Sequence, residues 1–69
     1  MKIIYDPDTD IMNVIFREET IIESDEVKEG FLIDYGVDGT VVGFEILDAR
    51  KHMTQPTQVS FELREQKAA

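Results

Sequence analysis

The stretch Phe31-Leu32-Ile33-Asp34-Tyr35-Gly36-Val37-Asp38-Gly39-Thr40-Val41-Val42-Gly43-Phe44-Glu45-Ile46-Leu47 decides the fold of this chain. Two runs rich in β-branched and aromatic residues flank Gly36-Val37-Asp38-Gly39. An Asp-Gly pair between such runs favours a tight hairpin turn, because both central positions need positive φ. With Asp38-Gly39 as a two-residue loop, Val37 faces Thr40, Tyr35 faces Val42, Ile33 faces Phe44 and Phe31 faces Ile46. These side chains share one face as aromatic and aliphatic cross-strand pairs. On the other face Asp34 meets Gly43 and Leu32 meets Glu45. A four-residue loop, Gly36 to Gly39, also keeps the apolar faces together, in a register shifted by two. A three-residue loop would turn them to opposite sides, so the pattern predicts an even register.

Strand signals continue on both sides of this hairpin. Lys2 to Tyr5 is β-rich and stops at Asp6-Pro7-Asp8-Thr9-Asp10, which reads as a turn because proline fixes φ and aspartate accepts local backbone hydrogen bonds. In Ile11 to Arg17, Met12, Val14 and Phe16 lie on one face, while Ile11, Asn13, Ile15 and Arg17 lie on the other. One fully apolar face and one mixed face suit a strand inside a sheet. Thr20 to Val27 alternates weakly and carries four acids between Glu19 and Glu26, as an edge strand does to discourage further pairing. Asp48 stands as a helix N-cap before Ala49-Arg50-Lys51-His52-Met53, and Pro56 limits the helix to one or two turns. Beyond it, Val59, Phe61 and Leu63 alternate with Gln58, Ser60, Glu62 and Arg64, the period of a half-buried strand. The expected fold is α+β, mainly β: an antiparallel meander of five to six strands with one short helix before the last strand. Residues 1–64 form a single β-rich domain, and 65–69 a flexible C-terminal tail.

Size and charge narrow the function. The chain has 69 residues, 42% of them hydrophobic, and no cysteine. That suffices for one domain with a thin margin of stability, since a domain of about this size buries only about 60% of the surface of its unfolded chain. No disulfide or thiolate metal site can supplement the core, which leaves good packing or self-association; the expected state is a homodimer. The net charge is −8, from 15 acidic and 7 basic residues. Without clustered Lys and Arg, binding to nucleic acid is disfavoured, and an anionic membrane surface would repel the chain. The same acidity would speed encounter with a basic protein partner. No apolar run reaches the roughly 7–15 residues of a signal peptide or the roughly 20 of a spanning helix, so a soluble, cytoplasmic protein is expected.

Each cluster with chemical potential has a stronger structural explanation. Asp6, Asp8 and Asp10 have the alternating acidic pattern that opens a calcium loop. The sixth position would then be Ile11 rather than glycine, and the twelfth Arg17 rather than glutamate. A turn accounts for the three aspartates, with weak cation binding as the alternative. Asp48 and His52 are four apart and would share one face of a helix, yet a catalytic dyad needs a nucleophile or pocket beside it. Ser24 and Ser60 are the only serines, and neither sits on a nucleophile turn. Asp34 and Glu45 share the second face of the hairpin and could act as an acid–base pair; solvated or helix-facing carboxylates fit a domain this small better. Gly36 and Gly39 are turn glycines. No catalytic, cofactor-binding or metal residue is assigned, and no cofactor is expected.

Three segments, Ile4-Tyr5-Asp6-Pro7-Asp8-Thr9-Asp10, Phe31-Leu32-Ile33-Asp34-Tyr35 and Asp38-Gly39-Thr40-Val41-Val42-Gly43-Phe44-Glu45-Ile46-Leu47-Asp48-Ala49, resemble the YuzE-like family of small bacterial and archaeal proteins of unknown function. The likeness runs roughly from Lys2 to Met53, and Gly-x-Glu-Ile-Leu-Asp-Ala is its most specific part. Gly36 and Phe44 depart from the aspartate and isoleucine expected there. The resemblance brings no established activity and no catalytic residues. Through members that lie beside genes for small toxins, it implies an antitoxin-like role. The expected function is therefore a non-enzymatic protein-interaction module. The alternatives are a self-associating structural or small-ligand-binding domain, and a weak metal-binding protein or small enzyme using Asp6, Asp8, Asp10 or the Asp48–His52 pair.

Overall fold

In the computed structural model, which describes residues 1–67, the strands are β1 (Lys2–Asp6), β2 (Ile11–Ile15), β3 (Glu23–Lys28), β4 (Phe31–Tyr35) and β5 (Val41–Ile46). One helical turn, α1 (Ala49–His52), follows β5. These are the elements found among the described residues. All strand pairs are antiparallel, in the order β1-β2-β5-β4-β3. The sheet is thus not a simple meander. β5 inserts between β2 and β4, so the connection from β2 to β3 runs past two strands instead of turning into a neighbour. β2 is interior, and β3, with Glu23, Asp25 and Glu26, is an edge, as their side-chain patterns predict.

The decisive hairpin keeps its predicted apolar face but reaches it by another route. Phe31 pairs with Ile46, Leu32 with Glu45, Ile33 with Phe44 and Asp34 with Gly43. At the turn, Gly39 N–H donates to the Gly36 carbonyl at 3.0 Å, and Gly36 N–H to the Thr40 carbonyl at 2.9 Å. Gly39 has φ +81°. This is a three-residue loop, a type I turn closed by a left-handed glycine, and so the odd register that the side-chain pattern argued against. A second irregularity compensates. Tyr35 pairs with Val41 rather than Val42, leaving Val42 as an extra residue on β5. Two one-residue offsets cancel, and the apolar sides coincide again below the bulge. Asp38 fixes the turn by accepting from Thr40 N–H at 3.0 Å and the Thr40 hydroxyl at 2.7 Å.

The register places Ile3, Tyr5, Met12, Val14, Phe31, Ile33, Phe44 and Ile46 on one side, the core face. Met12, Val14, Ile46 and Ala49 are its buried centre, with Tyr5, Phe31, Phe44 and Met53 packed around them. Phe16 packs edge-on against Phe44, with centroids 5.8 Å apart. A four-residue helix cannot cover a five-stranded sheet. It caps one end of this face, and the remainder is partly open.

Two expectations about the C-terminal part are corrected. Asp48 does not cap α1: it takes the left-handed conformation (φ 51°, ψ 50°) and makes no side-chain capping bond. Asp10, in the β1–β2 turn, replaces it. Its carboxylate accepts from Arg50 N–H at 3.1 and 3.3 Å, and its carbonyl from Ala49 N–H at 2.9 Å. The cap is tertiary, so spacing along α1 could not reveal it. Nor does Val59–Leu63 form a strand: Val59, Phe61 and Leu63 are 60, 80 and 83% exposed. Alternation makes a segment fit a sheet edge but cannot supply one, and this segment has no neighbour in the chain. The helix is therefore the last regular element of the described residues, not the penultimate one. The expected flexible tail, 65–69, extends past residue 67, and its last two residues lie outside the described residues.

Candidate functional site

The outer face of the sheet brings together a polar group that the sequence only hinted at. Asp34 is 4% exposed, although it lies within an otherwise apolar strand. Its position opposite Gly43 leaves room for the carboxylate, and Ser24, its partner on β3, donates a hydroxyl hydrogen bond to it at 2.6 Å. Glu45 lies diagonally across β5. The hydrogen bond it shares with Asp34, its partial burial and the Asp34 charge together hold the Glu45 carboxyl above its ordinary range. Two neighbouring carboxyl groups cannot both ionise cheaply, so the nearby Asp34 disfavours ionisation of Glu45. Asn13 on β2 and Leu32 on β4 flank Glu45.

Asp34 and Glu45 therefore share one face, as the hairpin register predicted, with Asp34 buried under the Ser24 hydroxyl and Glu45 half-buried diagonally beside it. The missed member was Ser24: only the β3–β4 register reveals it. The Ser24 proton is directed at Asp34. The single histidine, His52, stacks against Phe31 on the opposite face, ring centroids 4.7 Å apart. No serine–histidine hydrogen bond is formed among the described residues. The Asp48–His52 pair is likewise not formed as a helix-face pair, because Asp48 precedes the helix in a left-handed conformation.

The three turn aspartates each have a structural partner or role. Asp6 accepts from Asp8 N–H at 2.9 Å, and the Asp6 carbonyl accepts from Asp10 N–H at 2.8 Å. Asp10 adopts φ +58° and receives the Tyr5 phenol at 2.6 Å. Its carboxylate lies 3.3 Å from Arg50 Nε. The Tyr5 hydrogen bond, with the Arg50 backbone and charge, holds the Asp10 carboxyl below its usual range. The same bond raises the Tyr5 phenol. Among the described residues, no group of three or more His, Asp or Glu side chains is arranged to hold a metal ion.

The core face carries the other candidate surface. Where α1 stops, an open groove of about 490 Å³ is lined by Val27, Phe31, Ile33, Phe44 and His52, with Lys28 at its rim. β3 borders it through Val27 and Lys28, and the exposed acids Glu23, Asp25 and Glu26 lie further along the same edge strand, outside the lining. Such a groove fits a side chain or a short apolar segment of another molecule.

Fold and surfaces define a small single-sheet α+β domain with a short helix on one face and no assembled catalytic relay among the described residues. The chain belongs to the family described as "Protein of unknown function (DUF2283)", whose model matches residues 2–50; the YuzE-like resemblance is consistent with this. That span includes all five strands and the start of α1, but not the exposed segment at 59–63. No curated protein and no solved structure matches the chain. No helix of the described residues is long and apolar enough to cross a membrane.

Proposed function

We propose that the protein is a non-enzymatic protein-interaction module, antitoxin-like in that it captures a small basic partner protein. The observation that carries this reading is the groove on the core face, an apolar floor left open by a helix of four residues. The acidic edge strand beside it supports a basic partner, as does a net charge of −8. Charge of this kind speeds encounter and selects sign, while the apolar floor supplies affinity. Co-expression with the product of the neighbouring gene, followed by affinity capture in low and high salt, tests the reading. A complex that weakens with salt and is lost in Phe44→Asp is expected. Absence of any salt-sensitive complex with a basic neighbour counts against it.

A small-ligand-binding domain is the second reading, favoured by the groove's volume, which falls within the range of roughly 300–1,000 Å³ usual for such sites. It predicts that small apolar probes shift the amide resonances of Phe31, Ile33 and Phe44 in the isolated protein, without any protein partner.

A further inference from the structure

The exposed segment Gln58–Arg64 has a strand's sequence and no strand to join. Val59, Phe61 and Leu63 point their apolar side chains into solvent at 60–83% exposure. Beyond the turn closed by Gln58 N–H on the Gln55 carbonyl at 3.0 Å, residues 59–67 have no regular structure. The radius of gyration is 14.2 Å, against roughly 11 Å for a compact chain of this length, as expected of a one-layer sheet with an arm standing off it. The molecule also has two free sheet edges, and they differ. β3 is guarded by Glu23, Asp25 and Glu26. β1 presents Ile3 and Ile4, 36 and 45% exposed, with single charges only at its ends, Lys2 and Asp6. An unguarded edge of this kind is a template for another strand.

We infer that the occupant of the β1 edge is the arm of a second copy of this chain, residues 58–64, exchanged reciprocally about a twofold axis. One antiparallel register satisfies the chemistry of both strands. Val59 lies opposite Tyr5, Phe61 opposite Ile3 and Leu63 opposite Met1, which extends the core face by one apolar row. On the other side Ser60 meets Ile4, and Glu62 lies directly opposite Lys2. A shift of one residue turns the apolar row to the wrong face. A shift of two places Arg64 or Ser60 opposite Lys2 in place of Glu62. Lys2 has only a 3.6 Å pair with Glu18 to give up, both side chains being largely solvated. A twofold exchange uses both arms and both edges at once, so the assembly closes at two chains. This contact lies on β1, away from the β3-side groove, and stands or falls independently of the basic partner.

Light scattering of the full chain over roughly 1–100 μM, the range in which modest interfaces associate, gives the first test. Twice the 7.9 kDa chain mass is expected. Phe61→Asp, at a position with no packing to lose in the single chain, halves the mass, and the circular dichroism keeps the signal of the five-stranded sheet while losing only that of the paired arms. Lys2→Glu weakens the dimer at least several-fold, and Lys2→Glu combined with Glu62→Lys restores it. A monomer at all concentrations overturns the inference, whether the arm is then solvated or folded onto its own β1. So does a dimer indifferent to Phe61→Asp, or a charge reversal that fails to rescue.

Discussion

Replacing Gly43 by alanine tests the central strand pairing most sharply. A methyl group at this position would lie 2.3 Å from the Val14 carbonyl oxygen and 3.3 Å from both Val14 C and Ile15 Cα. All three are backbone atoms of β2, so no side chain can swing aside. Restoring an ordinary contact of at least about 3.4 Å requires β2 and β5 to part by about 1 Å at the centre of the sheet, which stretches their ladder hydrogen bonds. Overpacking of this kind costs about 1–3 kcal/mol, and each weakened hydrogen bond about 1 kcal/mol more, for a total of roughly 2–4 kcal/mol. A domain of this length has a total stability of roughly 3–10 kcal/mol. With a urea slope near ~1 kcal/mol per molar, the midpoint followed by circular dichroism should fall by roughly 2–4 M, or the variant should be unfolded without urea. Gly39→Ala is the control. There the methyl group meets nothing within 4 Å, but φ is +81°, so the cost is conformational alone, about 1–2 kcal/mol. A Gly43→Ala midpoint within about 0.5 M of the parent, or above that of Gly39→Ala, would refute the close approach of β5 to β2.

Glu45→Gln removes the proton equilibrium of the outer face while keeping a donor for Asp34. Because the Glu45 pKa is raised on folding, its stabilising contribution is complete below the unfolded value near 4.5 and is lost as pH rises through the folded value. Urea midpoints should decline across that window in the parent, and the variant should lack this component; equal slopes would sink the raised Glu45 pKa. Asp10→Asn keeps the tolerance of positive φ but removes the charge that receives the Tyr5 phenol. The phenolate absorbance of Tyr5 should then titrate lower, toward 10.0. The parent should also lose stability as pH falls below 3.8, through the depressed Asp10 value, and the variant should not lose this component.

What the sequence shows and what it hides follow from the range of each interaction. The period-2 pattern of β2 and of residues 31–47 is local, and it suffices to place three strands, the apolar face and the Asp34–Glu45 side. The loop length is not legible in the pattern, because Gly39 and Val42 supply two breaks in register that cancel. The cap was misassigned for a related reason. Asp48 is next to the helix in sequence, but Asp10 is next to it in space, and only the order of strands brings the β1–β2 turn there. Ser24 was missed because β3 is so charged that its register cannot be read from apolar spacing. The segment 59–63 shows the converse: its strand pattern was read correctly as a pattern, and what a strand requires besides is an edge to pair with.

The chain has more strand-forming apolar sequence than its one layer can bury. Among the described residues the buried hydrophobic core consists of Met12, Val14, Val42, Ile46 and Ala49, so the cooperative core is small for a five-stranded sheet, and one helical turn adds little to it. A sequence selected only to fold alone would replace Phe61, Leu63 and Val27 with polar residues, because exposed apolar rows promote association. Their retention together with a net charge of −8 is coherent if charge keeps unpartnered molecules apart while particular apolar surfaces wait for particular occupants. The two edges express the same division. In the proposed assemblies the acids of β3 discourage further strands and speed encounter with a basic protein, while the uncharged middle of β1 takes the 58–64 segment of a second copy.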